Sequence, residues 1–212
     1  MKRSEISAKV ISRLSCYRDA LLRYERQGIT IVFSEDLAAD IGNNAAQVRK
    51  DFSCTGICGK KKAGYRVRSL QTQIETLLGS NDHHATVLVG LGHLGQALIQ
   101  EGLFESKGFQ VEGCFCDEAA AGASSRARQI QPLKNLLDFV RDRAIKIGII
   151  AGKAEGAQRA LDVMALAGVK GILNFTPAHL KSPKVCIVNT VNLLHALENL
   201  VFFMKPHDRK EP

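Results

Sequence analysis

The chain has 212 residues, 45% hydrophobic and 24% charged, a globular composition that excludes disordered and fibrous classes. Its net charge is +8, and residues 1–80 supply most of it, with 14 Lys/Arg against 8 Asp/Glu. A basic first third suits a polyanion, because cation–phosphate contacts dominate salt-dependent nucleic-acid affinity.

Residues 5–27 place Ile6, Val10, Leu14, Tyr17, Leu21 and Leu22 near helical spacing, and Gly28 supplies a stop. Ile31-Val32-Phe33 is long enough only for a small strand. Ser34 is expected to cap a second helix, with Glu35 and Asp36 at its positive dipole end and Leu37, Ala38 and Ile41 inward. After the Gly42-Asn43 turn, Asn44 caps a third helix that begins at Ala45. Gln47 stands at the capping-box position. Val48 and Phe52 face inward, which leaves Gln47, Arg49, Lys50 and Asp51 on exposed sides. Two short helices joined by a tight turn make a helix-turn-helix, and the second would carry the base-reading groups. Gln suits adenine edges and Arg guanine edges.

Gly56, Gly59 and Gly64 punctuate a hairpin, and Tyr65 and Val67 alternate with basic residues as in a strand. A basic hairpin after a helix-turn-helix reads as a wing, with Lys60, Lys61 and Lys62 on phosphate. A linking helix over 69–79 follows. The polar break Asn81-Asp82-His83-His84 marks a boundary. Adjacent histidines do not share a helix face, so no metal site is expected there.

The grammar changes at residue 85. Ala85–Val89 is an apolar run, as for a strand buried on both faces. Gly90-Leu91-Gly92-His93-Leu94-Gly95 follows and opens a helix. This is the dinucleotide fingerprint in its strand–turn–helix context, with the pyrophosphate facing the helix N-terminus. A second strand, Phe109–Cys116, ends at Asp117, which is placed to bind a ribose 2′-hydroxyl and to favour NAD(H) over NADP(H). Pro132 starts a helix, Ile145–Ile150 is a strand, and Ala154–Ala167 is a helix ending at Gly168. Val169–Leu173 and Val185–Val188 are strands, and Asn192–Met204 is a last helix. Alternating strands and helices predict a parallel α/β sheet. The expected division is 1–80 winged helix, 81–190 Rossmann domain and 191–212 C-terminal helix and tail.

No apolar run approaches the ~18 residues needed to cross a bilayer, and the N-terminus leads into no signal-peptide core. A cytoplasmic location is expected. Cys16, Cys54, Cys58, Cys114, Cys116 and Cys186 form no paired CxxC zinc pattern and are expected as reduced thiols.

Three segments in order resemble the Rex family of redox-sensing bacterial repressors. They are Ala45–Asp51, resembling its recognition helix, Gly90–Leu98, resembling its nucleotide loop, and Gly168–Pro177, resembling its late strand and loop beside the nicotinamide. The resemblance implies an α/β protein with a winged-helix domain, a Rossmann domain and a C-terminal helix swapped between subunits. It implies a homodimer on two-fold operator DNA that NADH, and not NAD⁺, releases. Leu193, Leu197, Leu200, Phe202 and Phe203 would form the apolar face of the exchanged helix. Cys116, Ala151, Gly152, Asn174 and Thr176 join Asp117 and the glycine loop as cofactor candidates. The chain departs from the family pattern at Cys54, Thr55 and Cys58 in the wing, at Cys116, at Ala151-Gly152-Lys153, at Glu101 in place of a Tyr, and at Asn192 in place of an Asp.

Two alternatives are weighed beside this regulator. An NAD-dependent oxidoreductase would need a substrate domain, and only about 130 residues remain after position 80. A repressor answering thiol oxidation would use Cys54 and Cys58, with Lys60–Lys62 lowering their thiol pKa.

Overall fold

The computed structural model describes residues 6–59, 63–80, 82–102, 104, 108–116, 124–125 and 128–204. The chain separates into two compact units, Met1–Asp82 and His83–Pro212. Among the described residues no helix is long and apolar enough to cross a membrane.

The first unit opens with α1, Ala8–Arg26, whose N-cap Ser7 accepts a hydrogen bond from the Val10 amide. Two residues of strand, β1 (Ile31–Val32), precede α2 (Ser34–Asp40) and α3 (Ala45–Thr55). Leu14, Tyr17, Ala20 and Leu21 of α1 close over Leu37 and Ala38 of α2 and Val48 and Phe52 of α3. Phe52 sits between two rings, edge-on to Tyr17 at 5.3 Å and to Tyr65 at 5.1 Å. Gly56, at φ 77°, ends α3 in the left-handed region.

Three expectations change here. Ser34 is the first residue of α2, not its cap. Phe33 holds the cap position, and the Asp36 carboxylate reaches back to accept from the Phe33 amide at 2.8 Å. The wing strand β2 is only Tyr65–Arg66, paired antiparallel with β1. Val67 is not in that strand, because α4 (Val67–Leu78) starts there and buries Val67 with Leu70 and Ile74. Lys60, Lys61 and Lys62 lie outside the described residues.

The second unit is a seven-stranded sheet, with β3 (His84–Val89) at its centre. The others are β4 (Phe109–Cys116), β5 (Ser124–Ser125), β6 (Arg128–Pro132), β7 (Ile147–Ile150), β8 (Gly171–Asn174) and β9 (Ile187–Thr190). Their spatial order is β5-β6-β4-β3-β7-β8-β9. All pairings are parallel except β5 with β6. Leaving out the short β5, this is the doubly wound Rossmann order, with the direction of winding reversing between β3 and β7.

The period of two along β3 explains how both faces are covered. Val87 and Val89 join one core with Leu136 and Val140 of α6 (Leu136–Asp142) and Ala157, Leu161 and Met164 of α7 (Ala154–Ala167). Leu88 points the other way, into a smaller core with Val111, Cys114 and Ile149, against which Ile99 of α5 (His93–Gln100) packs.

β6 was not expected. It has one central apolar residue, Ile130, and its identity as a strand comes from pairing with Cys114 to Cys116 of β4. Pro132 therefore ends a strand rather than starting a helix; a 3-10 turn, Leu133–Asn135, follows and leads into α6. The last helix, α8 (Leu193–Met204), buries none of its side chains. Its first turn is capped by Asn192, whose Oδ1 accepts from the Leu194 and His195 amides at 2.9 and 3.2 Å.

Candidate functional site

Gly90, at φ 97°, turns the chain out of β3, and its amide donates to Phe115 O at 2.8 Å. A Cβ on Gly90 would collide with the backbone of Gly152, so the loops after β3 and β7 press glycine against glycine. A Cβ on Gly95 would meet the Gly90 carbonyl, which lets α5 start hard against the turn. Gly92 is the N-cap of α5 and brings no side-chain cap, so the first amides of the helix remain for a ligand.

Above this contact lies a cavity of about 710 Å³. Gly90, Leu91, Gly92, His93 and Leu94 line it from one side, Ala151 and Gly152 from the other, and Cys116 closes the end of β4. Gly95 is buried beneath the loop. Asp117 lies outside the described residues. The cradle fits a dinucleotide: it sits at the switch point, it is floored by glycine backbone, and uncapped amides face it.

Asn174 and Thr176 are not on the cavity wall. Both are buried and spend their polar atoms on each other. The Asn174 side-chain Oδ1 accepts from the Thr176 amide at 3.0 Å and hydroxyl at 2.8 Å. The Asn174 side-chain amide donates to Thr176 O, Ala178 O and Thr190 Oγ1. This knot shapes the loop after β8 and presents Phe175, which does line the cavity. Sequence reading also passed over Leu133, Lys153 and Arg159 as wall residues. Glu155 and Arg159 are four apart on α7, as are Gly156 and Ala160, a one-face spacing that could have revealed this wall. Glu101 caps the C-terminus of α5 and is exposed.

In the first unit, Asn44 caps α3 as expected, its Oδ1 accepting from the Gln47 amide at 2.8 Å. The reciprocal half of a capping box is absent, because the Gln47 side chain runs forward to donate to Asp51 at 2.7 Å. Asp51 is not exposed but fully buried. Arg13 grips it through Nε at 2.6 Å and Nη2 at 2.7 Å, and the Tyr17 hydroxyl donates at 3.0 Å. Burial pushes the Asp51 carboxyl up, yet the hydrogen bonds from Arg13, Gln47 and Tyr17 outweigh it and hold it below the ordinary carboxylate range.

Arg49 and Lys50 are exposed on α3. Arg49 leans on α2, donating to Ser34 Oγ at 2.9 Å and to Glu35 at 3.1 Å. Ser34 is buried beneath that guanidinium. Ala45 begins α3 half-buried, and Tyr65 is half-buried with its ring on Phe52 and its phenol pushed up by burial. The face left open at the start of α3 thus carries Asn44, Arg49 and Lys50. None of the six cysteines is in a disulfide, and Cys54 turns its Sγ to Asp51 O at 3.1 Å. No metal cluster occurs among the described residues.

The face of α8 exposes Leu193, Leu194, Leu197, Leu200, Val201, Phe202, Phe203 and Met204, each more than half accessible.

Comparison with known proteins agrees with both halves. Residues 5–53 match the family described as "Putative DNA-binding protein N-terminus", and residues 81–178 match the "CoA binding domain" family. The chain is 39% identical to the redox-sensing transcriptional repressor Rex of Carboxydothermus hydrogenoformans, over 95% of this chain and 98% of the relative. Two crystal structures of RSP are similar at 30% identity. The complex with NADH has a TM-score of 0.84 over 94% of each chain. The complex with NAD⁺ and operator DNA has a TM-score of 0.88 over 93% of this chain and 92% of RSP. A winged-helix unit, a switch-point cavity and a likeness spanning nearly the whole chain place this protein in the Rex family of redox-sensing transcriptional repressors.

Proposed function

We propose that this protein is a DNA-binding repressor that reads the NADH/NAD⁺ ratio, holding a two-fold operator as a homodimer and releasing it when NADH binds. The observation that carries this reading is the joining, in one chain, of an α3 that presents Arg49 and Lys50 to a glycine-floored cavity at a Rossmann switch point. The relatives solved with operator DNA and with each nucleotide support it. Asn44, Arg49 and Lys50 contact DNA, with Lys60, Lys61 and Lys62 on the flanking phosphates. Gly90–Leu94, Ala151, Gly152 and Phe175 hold the nucleotide, with Cys116 and Asp117 at the adenosine ribose. NADH and NAD⁺ share that ribose and the pyrophosphate, so the differential that shifts the DNA-bound population arises at the nicotinamide.

The α8 face is the homodimer surface, since eight large apolar side chains on one helix are unfavourable in water and self-association covers them. The chain works as a cytoplasmic regulator rather than an oxidoreductase: its relatives are repressors, and His93 is taken up as the first residue of α5. The test starts with a duplex selected by the protein from a random pool. Anisotropy of that duplex is followed while NADH or NAD⁺ is added. NADH is expected to release it at concentrations where NAD⁺ does not. Equal effects of the two nucleotides would overturn redox sensing, and failure to bind any duplex at low salt would overturn repression.

A further inference from the structure

One wall of the cavity carries charge that the glycine loop does not account for. Lys153 is the N-cap residue of α7, and Arg159 lies farther along the same helix. Among the described wall residues Glu155 is the only acid. The first amides of this 14-residue helix have no side-chain cap, so its positive dipole end adds to the two cations.

A dinucleotide straddles the switch point of a doubly wound sheet, one nucleotide half on each side. The acid that reads the adenosine ribose belongs at the end of the second strand, which here is β4. The nicotinamide half therefore falls on the β7–β8 side, with Lys153, Arg159 and Phe175. The two redox forms differ in charge at that ring: the pyridinium of NAD⁺ carries a positive charge, and the dihydropyridine of NADH is neutral.

We propose that Lys153, aided by Arg159 and the positive end of α7, selects the reduced nucleotide by repelling the pyridinium. The inference rests on the cavity being an NAD(H) site. Attraction of Lys153 for the diphosphate is common to both forms and cancels in their affinity ratio, whereas the repulsion acts on one form alone. A sensor of the NADH/NAD⁺ ratio needs this kind of differential.

The test is calorimetric titration of the full chain with NADH and with NAD⁺, read as Kd(NAD⁺)/Kd(NADH). Removing one unit charge from a half-solvated cleft changes such a ratio by roughly threefold to fivefold. Lys153→Gln is expected to lower the ratio by that factor, through tighter NAD⁺ binding relative to NADH. Lys153→Glu lowers it further, Glu155→Gln raises it, and added salt narrows the ratio of the unaltered protein. Lys153 is exposed, and matching thermal unfolding curves verify that the variants fold. If Lys153→Gln weakens both nucleotides by one factor, the residue grips only the diphosphate and the proposal is overturned. If the unaltered protein binds neither nucleotide, the assignment of the cavity itself falls.

Discussion

The guanidinium of Arg13 in α1 clasps the carboxylate of Asp51 in α3 with two parallel hydrogen bonds, of 2.6 and 2.7 Å. The Asp51 side chain is 1% accessible, and that of Arg13 is 23%. Tyr17 and Gln47 complete the shell around the carboxylate. The helix proposed to read DNA is thereby pinned in rotation and register to the helix behind it.

Asp51→Ala should destabilise the protein by about 3 kcal/mol, because it strands the Tyr17 hydroxyl and half-frees a cation. Arg13→Met alone should cost a similar amount by leaving a buried carboxylate unpaired. The double variant should be milder than the sum, and a urea-unfolding double-mutant cycle measures the coupling. Additive effects would show that the pair is not a unit.

The same carboxylate sets an acid limit. Its folded pKa lies below the unfolded one, so its contribution is fully present above the unfolded value of about 4. That contribution is lost as pH falls through the lowered folded value. Urea midpoints should decline below pH 4 in the unaltered protein, and Asp51→Asn should flatten that decline. Parallel pH profiles for the two proteins would contradict the assignment.

On the DNA face, Arg49→Ala should cost about 1–3 kcal/mol of operator discrimination, and Lys50→Ala should weaken all duplexes and reduce the salt slope by about one. Glu35→Gln removes the acid that draws Arg49 to 3.1 Å and should strengthen DNA binding modestly. Anisotropy titrations across salt concentrations separate these effects. None should alter affinity for NADH.

At the nucleotide site, Gly90→Ala places a methyl into Gly152 backbone at a φ that L-residues avoid. Binding of both nucleotides should fall at least about tenfold. At an NADH concentration a hundredfold above the Kd of the unaltered protein, that protein gains about 2.7 kcal/mol of stability and the variant should gain about 1.4 kcal/mol or less, a difference read by thermal shift.

For α8, Leu197→Glu with Phe203→Glu should yield monomers by sedimentation equilibrium and abolish tight binding to a two-fold duplex. Each position is more than half exposed in one chain, so the substitutions harm assembly rather than the fold of that chain. A dimer that persists would move the interface elsewhere.

Local grammar made much of this molecule legible. Helical spacing and the Asn44 cap marked α3, and the Gly90–Gly95 run after four buried residues marked the nucleotide turn. These are contacts between near neighbours in the chain, and residue type alone specifies them. Tertiary structure decided the fate of polar side chains and of weakly patterned segments. Asp51 looked like an exposed helix residue until Arg13, 38 positions away, supplied its partner. Asn174 and Thr176 looked like ligands until Thr190 and Ala178 O drew Asn174 inward. β6 became a strand only against β4, and Lys153 became a cavity residue only where β7 runs beside β3. A polar atom follows whichever partner lies within hydrogen-bond reach once the chain is folded, and that neighbour is set by packing over long separations rather than by local pattern.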